Sequence, residues 1–117
     1  MKEARENIVR DKSFEFALLI IDLYKKMLLE KEYVLSKQLL RSGTSIGANI
    51  EEATAAISRK DFIAKMSISA KEARETLYWL KLIQKSEIVK TDVSEIIKRS
   101  EELIRILTSI VKTSQGN

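Results

Sequence analysis

Histidine, cysteine and proline do not occur in this sequence, and glycine occurs only three times. Without cysteine there is no disulfide framework and no thiolate metal site. Without histidine the commonest general base and metal ligand is missing. The lack of proline and glycine removes the turn vocabulary of hairpins and points to long helices. No apolar run approaches the roughly 18 residues of a membrane span. The first dozen residues mix both charge signs and hold no apolar segment, so no signal peptide is visible. These absences lead us to expect a soluble, cytoplasmic, all-helical protein.

What is present is a chain of 117 residues, 44% hydrophobic, with a net charge of +4. That length predicts one domain with one core. The stretch that organises it is residues 41–53, where Gly43 and Gly47 stand among Ser42, Thr44, Ser45 and Ala48. Each interior glycine costs a helix about 1 kcal/mol against alanine. Yet Leu35, Leu39, Ser42, Ile46, Ile50, Ala53 and Ile57 recur at helical spacing straight through both glycines. A helix over 34–57 whose small residues admit a close neighbour follows.

Three more helices flank it, over about 14–31, 59–86 and 92–112, with 1–12 and 113–117 read as mobile ends. Ser13 is a good N-cap for the first, Ser58 with Asp61 for the third, and Thr91 or Asp92 for the fourth. Short connections make antiparallel neighbours, so the expected fold is an up-down-up-down four-helix bundle.

Two helices carry more apolar surface than one bundle needs. On the first, Phe14, Ala17, Leu18, Ile21, Tyr24 and Leu28 form one stripe, with Phe16, Ile20, Leu23 and Met27 beside it. On the third, Ile68, Trp79 and Leu82 lie apart from the core stripe of Phe62, Met66, Ser69, Ala73, Leu77 and Leu80. The double stripe of the first helix fits either a helix wedged deep in its own bundle or a subunit interface; we read Phe16, Ile20, Leu23, Met27, Ile68, Trp79 and Leu82 as a subunit interface, which predicts a homo-oligomer. The third helix also carries Lys60, Lys71, Arg74, Lys81 and Lys85 within an arc of about 80°, with Tyr78 in its middle. Residues 58–87 hold seven basic and four acidic side chains. That stripe is either a solvated face paired with neighbouring carboxylates or a surface for RNA or DNA phosphates. Pairing with Glu95, Glu101 and Glu102 is what would decide for the first.

Catalysis finds little footing. No Gly-x-Ser-x-Gly turn and no phosphate-binding glycine loop is present. Glu51, Glu52, Glu72 and Glu75 invite comparison with carboxylate-bridged metal centres, but those also draw on histidine. We read Arg41, Asn49, Glu52 and Glu75 instead as a polar cluster bridging the second and third helices. The protein is accordingly expected to be no enzyme, to carry no cofactor or metal, and to act on no small-molecule substrate or membrane.

Residues 39–53 contain Ser-Ile-x-Ala-Asn-Ile-x-Glu (Ser45 to Glu52). Residues 60–62 read Lys-Asp-Phe, and Glu75 to Leu80 reads Glu-Thr-x-Tyr-Trp-Leu. Together these resemble the bacterial four-helix-bundle proteins encoded in 23S rRNA intervening sequences, over nearly all of residues 13–112. Ala53 stands where a glycine is usual in that family. The resemblance implies a ring-like homopentamer of up-down bundles. It also implies similarity to the accessory variability determinant of diversity-generating retroelements, a basic pentameric bundle that binds nucleic acid and a reverse transcriptase. It brings no catalytic residues. Asn49 and Glu52 match its motif and are expected to serve structure. The expected role is an oligomeric scaffold that meets a protein partner, with nucleic-acid binding as the alternative.

Overall fold

The glycine-bearing stretch is continuous helix. In this computed structural model, which describes the backbone of residues 2–116 and side chains from Ala4 onward, the chain forms α1 (Lys2–Leu29), α2 (Leu35–Thr54), α3 (Arg59–Ser86) and α4 (Ser94–Ser114). Each helix packs against its neighbours in sequence and α1 closes against α4, with no diagonal contact among the described residues. Arg10 near the start of α1 pairs with Glu51 near the end of α2. Arg59 at the start of α3 donates to the carbonyl of Ser114 at the end of α4. Neighbours therefore run antiparallel, in a bundle of 45 × 20 × 18 Å.

The small residues of α2 serve two partners. Gly43 lies against α1, where a built Cβ would stand 2.8 and 2.9 Å from the two γ-carbons of Ile20. Gly47 meets Ser13 of α1 less closely, at 3.4 Å or more. Toward α3, Ser42 accepts from the Thr76 hydroxyl at 2.9 Å, and the Ser69 hydroxyl donates to the Ile46 carbonyl at 2.8 Å. Leu39, Ile46 and Ile50 fill the space between, each at most 1% exposed. Burial of that kind contributes about 1.5–3 kcal/mol per large apolar side chain. The Ser100 hydroxyl on α4 is also buried, and it has no hydrogen-bond partner among the described residues.

The ends are held by side chains. Ser58 caps α3 by accepting from the Asp61 N–H at 3.0 Å, as its spacing predicts. For α2 the cap is Glu32, whose carboxylate accepts from the N–H groups of Val34, Leu35 and Ser36. A negative charge there also suits the helix dipole. Asp92 accepts from the Ser94 N–H as α4 begins. Glu30 clasps the loop before α4, accepting from the Lys90 and Thr91 N–H groups and the Thr91 hydroxyl.

Five expectations change. Thr113 and Ser114 belong to α4 rather than to a mobile end, and Ser114 is buried. Residues 2–12 are helix, continuous with α1, rather than a mobile lead-in. Val9 is buried, and Arg5 donates to Ser109 of α4 at 3.0 Å, so this turn is docked. Ser13 consequently sits inside α1 and donates to the Arg10 carbonyl instead of capping. Helix α2 stops at Thr54, which leaves Ile57 exposed in the following loop. Finally, Phe16, Ile20, Leu23 and Met27 belong to the core, none more than 1% exposed. With Val9 and Ser13 they make an unbroken alternation of three and four residues. Starting the helix at 14 hid that alternation. The outward stripe of α1 is the other one, with Phe14, Leu18 and Ile21 exposed.

Gly43→Ala is expected to destabilise the bundle by about 1–3 kcal/mol, because the γ-carbons of buried Ile20 cannot swing away. Gly47→Ala meets only ordinary contacts and should gain up to about 1 kcal/mol of helix propensity. Paired urea melts check both, and equal shifts would refute the distinction. Hydrogen bonds from Lys90 and Thr91 hold the Glu30 carboxyl below its ordinary 4.5. A lowered value in the fold gives stability that is present above the ordinary value and lost as acid takes the pH through the folded one. The loss of stability between neutral and acid pH should therefore be smaller in Glu30→Gln than in the wild type, measured by melts across that range.

Candidate nucleic-acid interface

Lys60, Lys71, Arg74, Tyr78, Lys81 and Lys85 all stand exposed along α3. Tyr78 is 56% exposed, its ring edge-on to Trp79 with centroids 5.2 Å apart. No ion pair among the described residues engages any of these five cations. Arg74 makes one cross-helix bond, donating to the Thr108 hydroxyl of α4 at 3.2 Å.

The carboxylates that could have neutralised them are elsewhere. Glu95 pairs with Arg99 on its own helix, and Glu102 with Lys12 of α1. Glu101 is half-buried and outside any ion pair among the described residues. The seams of the bundle differ accordingly. Arg10 and Glu51 bridge α1 and α2, Lys65 and Glu52 bridge α2 and α3 at 2.7 Å, and Lys12 and Glu102 bridge α1 and α4. The Arg10 pair raises the guanidinium and lowers the Glu51 carboxyl from their ordinary values through the hydrogen bond between them. At the α3–α4 seam no described ion pair forms.

Sequence reasoning missed half of this surface. Lys98, Arg105 and Lys112 stand exposed on α4 and likewise take part in no described ion pair. Their seven-residue spacing, two helical turns, was the available signal. It is inconspicuous because Arg99, Glu101 and Glu102 interleave it in the linear sequence.

The expected polar cluster forms in part. Arg41 of α2 reaches Glu72 at 3.4 Å and bonds Glu75, and Glu75 also accepts from the Trp79 indole at 2.9 Å. Glu52 pairs separately with Lys65. Asn49 stays outside, its amide donating to the Ser45 carbonyl one turn back at 2.9 Å. Of the α3 apolar residues, Ile68 and Leu82 are exposed and Trp79 is half-buried. Phe14 lines a small surface pocket with Arg10 and Glu51, which places this one residue of the outer stripe near the end of α2. No group of three or more metal-ligating acids stands together among the described residues, and none of their helices is long and apolar enough to cross a membrane.

These features define an all-helical four-helix bundle with exposed cationic faces on α3 and α4. Within that class, the chain belongs to the 23S rRNA-intervening sequence protein family, whose pattern it matches over residues 5–109. It is also similar to a crystal structure from Bacteroides thetaiotaomicron, described as a protein with unknown function from the S23 ribosomal protein family. The two are 51% identical and superpose with a TM-score of 0.88, covering 92% of this chain and 98% of the other. No curated protein matches the chain.

Proposed function

We propose that this protein is a non-enzymatic interaction module, an oligomeric scaffold that self-associates through the outer stripe of α1. The observation that supports this is the exposure of Phe14 at 65% and Leu18 at 54%, next to Ile21 on the same face. Contiguous apolar surface of this kind marks interfaces in soluble proteins. Ile68 and Leu82 on α3 offer a second, unlike patch. Unlike patches on one copy make head-to-tail contacts, which close into a ring when the rotation between copies allows, and a ring of five is what the family resemblance implies.

A second reading, nucleic-acid binding through α3, is favoured by one observation: its five outward cations take part in no described ion pair. A ring would repeat that surface around its circumference. It also leaves a protein partner free to use the remaining faces.

Light scattering at micromolar concentration should give several times the 13.4 kDa of one chain for the wild type, and a single chain for Leu18→Glu with its helical content intact. A monomeric wild type removes the scaffold reading. For nucleic acid, log K should fall steeply with log salt, because neutralised phosphates release counterions. Reversing charge at Lys71, Arg74 and Lys81 should flatten that dependence, and an unchanged slope counts against the α3 surface.

A further inference from the structure

We infer that the crevice between α3 and α4 seats one backbone phosphate of a single-stranded nucleic acid laid along that seam, an assignment that rests on the nucleic-acid reading above. The crevice measures about 220 Å³, and its polar lining is Ser67, Arg74, Thr108, Lys112 and Gln115. A water takes about 30 Å³ of liquid volume, so there is room for a phosphate group. No carboxylate lines it among the described residues.

The side chains suit a phosphodiester, which carries one charge and two free oxygens. Arg74 offers a planar fork of donors for both oxygens. Its bond to the Thr108 hydroxyl at 3.2 Å restrains the guanidinium at the crevice instead of leaving it to sweep through solvent. Lys112 adds a second positive charge from the opposite helix, as a compact point charge. Ser67 on α3 and Gln115, just past the end of α4, supply neutral donors.

From this anchor the cations continue along both helices: Lys81 and Lys85 on α3, and Arg105 and Lys98 on α4. Each row, Lys71 to Lys85 and Lys98 to Lys112, spans about 21 Å at 1.5 Å per residue. Tyr78 stands within the α3 row with its ring more than half exposed. An aromatic face rewards an unpaired base, which can stack on it, and offers nothing to a base already stacked inside a duplex. This points to a single strand.

The test titrates a fluorescent single-stranded RNA of about twelve nucleotides against the protein across a salt series. The proteins are wild type, Arg74→Gln, Lys112→Gln, the double variant, and a control, Lys25→Gln with Lys37→Gln, which removes two exposed charges elsewhere. Circular dichroism confirms that each folds. Each crevice variant should weaken binding roughly tenfold at low salt, as loss of a charged hydrogen bond does. Each should also lower the salt slope by no more than about 0.7, the contribution of one phosphate on a single strand, because the cation left behind still neutralises part of it. The double variant should lower the slope by about 0.7 in all, because both side chains share that phosphate, while the control stays within about twofold of wild type. A drop near 1.4 in the double variant means two separate phosphates and overturns the shared site. Crevice variants that match the control also overturn it, while the wild-type binding then leaves the nucleic-acid reading standing. A duplex bound more tightly than the single strand overturns the strand assignment. No wild-type binding at low salt ends the nucleic-acid reading and this proposal with it.

Discussion

The close approach of α1 to α2 at Gly43 is the contact on which the rest of the bundle depends. Because nothing but a hydrogen separates the backbone of α2 from the γ-carbons of Ile20, the two helices lie nearer than ordinary side chains allow. That fixes the register of α1, and with it the choice of which apolar stripe turns inward. Val9, Phe16, Leu23 and Met27 follow Ile20 into the core, and Phe14 and Leu18 are left outside. A glycine helix interior is intrinsically poor, at about 1 kcal/mol per glycine, and the tight packing offsets it. The same helix bonds α3 through Ser42 and Ile46, so α2 acts as the spine between two close neighbours.

Charge is then distributed unevenly around that spine. Ion pairs across three of the seams consume carboxylates from α2, α3 and α4, including Glu51, Glu52 and Glu102. Isolated exposed pairs contribute little stability, with a median of about 0–1 kcal/mol. Their larger consequence is subtraction: acids committed to those seams are unavailable to the cations of α3 and α4. The basic character of the outer α3–α4 surface is thus a property of the whole arrangement, and net charge alone understates it.

Much of the fold was legible in the sequence for identifiable reasons. Ser58 and Asp61 announce the start of α3, and the stripe from Leu39 to Ala53 passes through the glycines because packing outweighs propensity. The failures are equally specific. Residues 2–12 are rich in charge, which disguised a helix whose inward positions include Val9 and Ser13, both buried. The Glu32 cap of α2 was not legible, because a carboxylate that caps from before the helix has no spacing signature of its own. The candidate surface was half legible. A cationic arc can be counted along one helix, but the partnership of Arg74 with Thr108, thirty-four residues on, exists only once α3 and α4 lie side by side.

The buried Ser100 hydroxyl has a wider meaning than its own position. An unsatisfied buried polar group costs about 1–3 kcal/mol, and here it sits on a core-facing position of α4. Replacing this serine by alanine would remove the unpaired hydroxyl from the described core. The molecule holds headroom that this one substitution could release without touching any exposed face.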